Sequence, residues 1–254
     1  MTDNLLPQSL QPIDMQNDNL VLISGETGTG KSTSLMALAN DSGIMYLNCE
    51  SGKKLPFKNK FLQTVITDPM DVYKAFEEAE DMPEIHTIVI DTLTFLMDMF
   101  ESVYVMQMEG YEGWKAYQQY FKNLMSQYVA KSTKNVIILA HTKQVYNKEE
   151  MVNQVLVPVK GALANNGIES FFSTVISTKK VLVKDLKNHN TPLLVITEDD
   201  EDLGLKRVFQ TRLTKDTINE RIRGPVSMWS RDEVYIDNNI GHVLNRLKDF
   251  YEDA

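Results

Sequence analysis

The sequence has little of what marks several large classes of protein. It contains one cysteine, Cys49, which excludes an internal disulfide framework and fits a reducing compartment. No apolar run is long enough to cross a bilayer, and the first 18 residues contain no apolar signal segment. These absences predict a cytoplasmic protein that does not associate with membranes.

Arginine is absent from the chain until Arg207. A small-molecule kinase needs a substrate lid rich in arginine, and we therefore discount that class. The net charge of −9 argues against a nucleic-acid binder that is basic over its whole surface. Residues 179–223 carry ten Lys/Arg against eight acids, which leaves two interpretations open, a basic face or an ordinary solvated one.

One glycine-rich stretch matches a nucleotide-binding pattern at every required position. It reads Gly25-Glu26-Thr27-Gly28-Thr29-Gly30-Lys31-Ser32-Thr33 and fits G-x-x-x-x-G-K-[ST]. The apolar run 19–24 before it predicts a buried strand, and residues 34–40 after it predict a helix. Strand, loop and helix follow in the order that a phosphate-binding loop needs, so these nine residues are predicted to bind a nucleotide.

Each residue type in this loop has a physical reason. The glycines allow successive backbone N–H groups to turn towards phosphates, and the helix N-terminus adds its positive dipole. Lys31 is expected to be a surface charge that reaches the β- and γ-phosphates. The Ser32 hydroxyl is expected to hold Mg²⁺.

Polar residues close three later predicted strands, at the sheet edge where α/β proteins bind ligands. Asp91 is a candidate Mg²⁺ ligand, with a helix N-cap as its alternative role. Thr92 stands directly after it, where many ATPases have a glutamate. Glu50 is therefore the candidate general base, with a solvated loop acid as the alternative. His141 is a candidate γ-phosphate sensor or water ligand, with a structural histidine as the alternative.

Apolar runs alternate with helical patterns over most of the chain, and a β-rich part follows. This order predicts an α/β fold in three layers, with a mostly parallel central sheet and an antiparallel C-terminal extension. An aromatic stripe over 114–128 is interpreted as core, with a base-stacking platform as the alternative. The predicted strands are 19–24, 43–48, 61–67, 85–90, 135–140, 171–183, 193–197 and 206–213, and the principal later helices are 70–81 and 237–251.

The phosphate loop, Glu50, Asp91 and His141, each closing a strand, together resemble the RecA-like ATPase core. The short chain is similar within that group to phage RecA-like single-strand annealing and recombination proteins. The resemblance covers roughly 19–225. The chain is accordingly predicted to have three parts, namely a flexible arm over 1–18, a RecA-like ATPase domain over 19–236, and a helix with an acidic tail over 237–254.

By the same resemblance, the protein is an ATPase that uses ATP and Mg²⁺ and binds single-stranded DNA in a ring or filament. A single-strand-binding protein is a further implied partner, and the location is the cytoplasm of a bacterial host if the chain is phage-encoded. The loop 144–166 would face the DNA, with Lys143, Lys148 and Lys160-Gly161 as contacts. The alternative function is a regulatory or clamp-type ATPase that acts on a protein.

RecA-like proteins also place cations from a late hairpin into the neighbouring subunit's site. Lys215, with Arg221 or Arg223, best matches that location in this sequence. Lys215 is therefore expected to act across a subunit interface. The alternative is that these basic residues offset the acidic cluster 198–202.

Overall fold

The computed structural model describes Asn17 and residues 19–252, which are organised around one eight-stranded sheet. The predicted N-terminal arm, apart from Asn17, and the last two residues of the acidic tail lie outside the described residues. The strands are β1 (Leu20–Gly25), β2 (Ile44–Asn48), β3 (Leu62–Val65), β4 (Thr87–Asp91), β5 (Asn135–His141), β6 (Lys143–Asn147), β7 (Val152–Leu156), β8 (Thr174–Leu182), β9 (Leu205–Gln210) and β10 (Tyr235–Asp237).

Helices cover both faces of the sheet. A 3₁₀ helix, Ser32–Leu38, follows the phosphate loop, and a π-helix, Leu124–Val129, continues one of the α-helices. The α-helices are α1 (Asp71–Asp81), α2 (Leu93–Val103), α3 (Glu112–Asn123), α4 (Leu163–Asn166), α5 (Val183–Leu186), α6 (Glu198–Leu203) and α7 (Ile240–Glu252).

The strand order is β10-β9-β8-β1-β5-β4-β2-β3. All neighbours from β8 to β3 pair in parallel, whereas β9 and β10 pair antiparallel at the other end. The predicted fold class, a mostly parallel α/β sheet with an antiparallel extension, is confirmed. Because the central strands are parallel, the residues that end β1, β2, β4 and β5 meet at one edge.

The central strands are continuous apolar runs because they are buried on both faces. In β1, Leu22 packs in the cluster that contains helices α1, α2 and α3. Its neighbours Val21 and Ile23 pack in the opposite cluster with Leu35 of the 3₁₀ helix and with α7. The helix that follows the phosphate loop is thus held between the sheet and the last helix.

The prediction of a strand at 193–197 is wrong. Pro192 precedes this segment, and Leu194 N–H bonds the Thr191 carbonyl in a turn. Thr197 then begins α6 with a capping box, in which Thr197 and Asp200 each accept a bond from the other's backbone N–H. The acidic cluster 198–202 is therefore helical, because its first acidic residues lie where a helix N-terminus favours them.

The segment 144–166, predicted to be a loop, contains more regular structure than expected. Strands β6 and β7 form an antiparallel hairpin there, separate from the main sheet. The aromatic stripe over 114–128 is mainly core, as interpreted. Tyr117 and Phe121 are buried, and Tyr128 stacks on Tyr73 with ring centroids 4.2 Å apart.

Candidate active site

The phosphate loop leaves β1 at Gly25 and enters the 3₁₀ helix at Ser32. Gly28 and Gly30 have φ angles of 77° and 109°, which side chains rarely adopt. The Thr29 hydroxyl donates to the Glu26 carbonyl at 2.7 Å and lies 2.5 Å from the Thr178 hydroxyl of β8. The loop conformation is therefore fixed by its glycines and by a contact with the neighbouring strand.

Lys31 is buried, with 5 % of its surface exposed, which corrects the expectation of a surface charge. Its Nζ donates to the carbonyls of Gly25 and Glu26 at 2.9 and 3.0 Å and lies 3.1 Å from Nδ1 of His141. Burial lowers its pKa to about 8, against the opposing attraction of Asp91 and Glu50. Lys31 lines the cavity beside the phosphate loop while its Nζ is held by these three contacts.

Asp91 ends β4 and is almost completely buried. Its Oδ2 accepts hydrogen bonds from the Ser32 hydroxyl at 2.8 Å and from the Tyr46 hydroxyl at 2.7 Å. Its Oδ1 is buried and has no hydrogen-bond partner among the described residues. Burial raises the pKa of Asp91, against the two hydrogen bonds. The alternative role as a helix N-cap is not seen, because Thr92 occupies the position before α2.

An unpartnered carboxylate oxygen beside a hydroxyl fits a divalent ion. Mg²⁺ is commonly held by one or two carboxylates together with substrate phosphates, and the described residues contain no cluster of three His, Cys, Asp or Glu that could hold a metal by itself. Asp91 Oδ1 and Ser32 Oγ are therefore the groups of this chain that fit Mg²⁺ on a nucleotide.

Glu50 follows β2, and its side chain is 9 % exposed, so it is not a solvated loop acid. Its Oε1 lies 3.2 Å from Nε2 of His141 and 3.4 Å from the Thr92 hydroxyl. Its Oε2 is paired with Lys53 Nζ at 2.7 Å. The hydrogen bond from His141, assisted by Lys53, lowers the pKa of Glu50 to about 2, although burial acts in the opposite direction. Glu50 is therefore ionised at neutral pH.

His141 connects Lys31 to Glu50. Because a protonated lysine can only donate, Nδ1 of His141 accepts from Lys31, which leaves Nε2 to carry the proton donated to Glu50. The Thr27 hydroxyl lies 3.4 Å from the same Nδ1. The neutral tautomer is thus set by its neighbours, and three predicted site residues form one hydrogen-bonded chain beside the phosphate loop.

A cavity of about 200 Å³ lies against these groups. The phosphate loop forms one wall, and the segment after Glu50, with Lys54, Leu55 and Pro56, forms another. The cavity therefore extends beyond the phosphate loop to this second wall.

Lys215 does not belong to this cluster. Strand β9 runs antiparallel to β8, so Arg207 near its start lies beside the phosphate loop, and the strand ends at Gln210. Lys215 lies beyond that strand, is exposed, and does not line the cavity at the phosphate loop. Its action across a subunit interface stays a prediction.

The lysines expected to contact DNA differ in their surroundings. Lys160 Nζ is paired with Glu101 at 2.5 Å. Lys143 and Lys148 are exposed on the β6–β7 hairpin, whose turn also carries Glu149 and Glu150. Lys160 is therefore paired with a carboxylate, whereas Lys143 and Lys148 have no ion pair among the described residues.

Two residues from the C-terminal extension hold the phosphate loop, and neither was predicted from the sequence. Asn238 Nδ2 donates to the Gly30 carbonyl at 2.8 Å, and its buried Oδ1 has no partner among the described residues. Arg207 Nε donates to the Gly28 carbonyl at 3.3 Å. The antiparallel extension therefore holds the loop at the Gly28 and Gly30 carbonyls, while Thr178 of β8 contacts it at Thr29.

We expect Asn238→Ala to weaken nucleotide binding about fivefold, because a hydrogen bond of this kind contributes about 1 kcal/mol. Without the amide, Gly30 loses the side chain that holds its carbonyl, and the backbone N–H groups of the loop are less well ordered before the phosphates bind. The measurement is the dissociation constant of a fluorescent ATP analogue by titration.

Asn239→Ala is the matched control. The Asn239 carboxamide oxygen accepts from Gly241 N–H at 2.8 Å near the start of α7, and among the described residues its side chain makes no hydrogen bond to the phosphate loop. This variant should lower the melting temperature without changing the nucleotide affinity. Equal dissociation constants for the two variants would show that Asn238 supports only the fold.

Comparison with known families gives one match. A family model described as an AAA domain matches residues 17–212, which is well over half of the 254-residue chain. No curated protein sequence matches the chain. The matched region contains the phosphate loop, Glu50, Asp91 and His141, whereas Asn238 lies beyond it. Within the part of the chain that the structure covers, no helix is long and apolar enough to cross a membrane.

Proposed function

The chain belongs to the AAA domain family of P-loop ATPases, and from this premise we propose that it hydrolyses ATP with Glu50 orienting the attacking water. The observation that carries the proposal is the chain of hydrogen bonds from Lys31 through His141 to Glu50. It links the cation expected on the γ-phosphate to the carboxylate expected on the water.

Glu50 is well placed to hold a water molecule, but its low pKa makes it a weak base. A carboxylate whose pKa is about 2 takes a proton weakly. Phosphoryl transfer needs little proton abstraction before its loose transition state, because positioning and electrostatic stabilisation supply most of the rate. Glu50 therefore acts chiefly by holding water in line, and it accepts the proton late.

Two other residues adjust this carboxylate. His141 holds Oε1 through a proton whose tautomer Lys31 fixes. Lys53 covers Oε2, but its side chain is 68 % exposed, so the ion pair costs little to open when water takes its place. In this proposal, His141 is a positioning residue. The Lys53 ammonium group lies against Oε2, where the attacking water would bind.

Asp91 and Ser32 would hold Mg²⁺ on the nucleotide, and the ion would neutralise charge on the phosphates when bound. Tyr46 donates to the same Asp91 oxygen as Ser32, Oδ2, which leaves Oδ1 as the oxygen without a hydrogen-bond partner among the described residues. The nine residues of the phosphate loop, Gly25 to Thr33, bind the triphosphate.

We further propose that copies of this chain form a ring or filament that binds single-stranded DNA and uses ATP hydrolysis to act on it. The RecA-like order of phosphate loop, Glu50, Asp91 and His141 supports this proposal. Lys215, which is exposed and lies outside the cavity at the phosphate loop, agrees with a residue that serves a neighbouring copy. An ATPase that acts on a protein partner is the alternative, which the net charge of −9 favours.

The test is the steady-state ATPase rate of the full chain in Mg²⁺, measured with and without a poly-dT oligonucleotide. We expect hydrolysis that requires Mg²⁺ and increases when the oligonucleotide is present. A Mg²⁺-dependent rate that single-stranded DNA does not change would favour the protein-directed alternative. Absence of hydrolysis under all of these conditions would contradict the ATPase itself.

A further inference from the structure

A groove of about 690 Å³ lies beside the amino-terminal part of β8 and shares no lining residue with the cavity at the phosphate loop. Its position follows from one antiparallel bridge, in which Arg223 and Val175 exchange backbone hydrogen bonds. Val175 in turn pairs with Leu22, in the middle of β1. We call this surface the arginine groove. Its lining includes Arg212, Arg223, Arg231, Leu213, Val226 and Trp229.

The charge of the arginine groove is of one sign. Three arginines line it, and no Asp or Glu is among the lining residues. Arg212 donates to the Trp229 carbonyl at 3.1 Å. Arg223 and Arg231 are exposed, and within the described part of the chain their guanidinium groups have no hydrogen-bond or ion-pair partner.

Two of the acidic side chains near the arginine groove are paired with cations outside it. Residues 211–233 contain five basic and four acidic side chains, in a chain whose net charge is −9. Glu220 is paired with Lys179 and Glu233 with Arg246, whereas Arg221 is paired with Glu169. Uncompensated arginines on an acidic protein create a local field that attracts an anion.

The other basic segment considered for DNA carries acidic residues among its lysines. Lys160 is paired with Glu101, and Lys148 is followed in the chain by Glu149 and Glu150, whereas Lys143 lies at the other end of the hairpin. Counterion release from phosphates depends on cations that are free to replace those counterions. The arginine groove, whose lining has three arginines and no acid, therefore offers the more uniform positive charge.

Apolar surface accompanies the charge. Leu213 and Val226 are 44 % and 88 % exposed at the groove. The Trp229 indole N–H is buried with no acceptor among the described residues, and Nε1 lies 3.8 Å from where a side chain on Gly224 would begin. Guanidinium planes and apolar side chains can contact bases, while the free donors suit phosphate oxygens. An acidic peptide would also meet the charge, whereas the planar guanidinium groups suit bases that stack along a strand.

We propose that the arginine groove binds the phosphate backbone of single-stranded nucleic acid, with Arg223 and Arg231 as its phosphate contacts. This proposal rests on the proposed function, for which it names the surface that meets the strand. It moves the DNA path away from the β6–β7 hairpin.

The experiment measures poly-dT affinity of the full chain against salt concentration, with Mg²⁺ and a non-hydrolysable ATP analogue present. Losing two phosphate contacts in Arg223→Ala/Arg231→Ala should reduce the log–log salt slope by about 1.4, since each contact on a single strand contributes about 0.7. Lys143→Ala/Lys148→Ala is matched in charge and should leave the slope unchanged. Arg223→Lys/Arg231→Lys should retain the slope, because the charge remains.

Four outcomes would overturn the proposal in different ways. If the two lysines lower the slope and the two arginines do not, the hairpin carries the strand. If neither pair of substitutions changes the salt slope and the wild-type protein still binds, the groove is not the DNA site, but the proposed function is not contradicted. Equal competition by a polyglutamate peptide would assign the groove to an acidic protein. Absence of wild-type binding at any salt concentration would remove the DNA function together with the groove. Melting temperatures check that all variants fold.

Discussion

Lys31→Ala should reduce ATP hydrolysis by on the order of 10³-fold or more, which makes it the most damaging single change that we expect. Lys31 Nζ is the cation of the phosphate loop, and its three donors already point at Gly25 O, Glu26 O and His141 Nδ1. The substitution removes the charge that would meet the γ-phosphate. It also removes the donor that fixes the His141 tautomer. The measurement is kcat/KM for ATP in Mg²⁺.

The fold should tolerate this change. Burial lowers the pKa of Lys31 to about 8, so at neutral pH the buried charge costs stability, and its loss offsets the loss of two hydrogen bonds to carbonyls. We expect a melting temperature within about 4 °C of wild type. Lys58→Ala, which changes an exposed lysine, is the control for loss of one positive charge. A Lys31→Ala protein that hydrolyses ATP at the wild-type rate would refute the assigned site.

Glu50→Gln should lower turnover on the order of 10²-fold while nucleotide binding is retained. Glutamine keeps the shape and can still accept from His141 through its amide oxygen, but it lacks the negative charge that orients water and finally accepts its proton. The ion pair with Lys53 is lost as well, which frees space at the site without adding a base. Single-turnover hydrolysis and the affinity of an ATP analogue separate the two effects.

His141→Ala gives the comparison for Glu50→Gln. On the proposed account, loss of His141 leaves the Glu50 carboxylate in place but frees Oε1, so the rate should fall less than in Glu50→Gln. If Glu50→Gln turns over at the wild-type rate and His141→Ala does not, His141 is the residue that orients the attacking water, and Glu50 only holds His141 in place.

The residues of the central site could be predicted from the sequence because each lies in a recognisable local pattern. The phosphate loop is a contiguous pattern, and Glu50, Asp91 and His141 each end an apolar run. Parallel strands bring such endings to one edge whatever the details of packing. The grouping therefore followed from chain order, although the burial of Lys31 did not, because burial depends on how the loop folds over the side chain.

Other contacts have no local mark. Asn238 bonds Gly30 across 208 positions, and an Asn before a helix indicates a cap rather than a loop partner. Tyr46 stands within an apolar run and resembles a core residue, although a buried tyrosine hydroxyl usually needs a partner. The apolar residues at 193–197 matched a strand, but a strand forms only where another strand accepts its hydrogen bonds. In each case the deciding partner is distant in sequence.

The two ends of the sheet limit how copies of the chain can join. The outermost strands are β3, with four residues, and β10, with three. Short edge strands offer few free backbone groups and are one way in which proteins avoid unintended strand addition. A ring or filament of this chain would therefore be joined by side-chain surfaces instead of a sheet that continues from copy to copy. Such surfaces can separate and reform while every strand stays paired, which suits an assembly that changes with each nucleotide it hydrolyses.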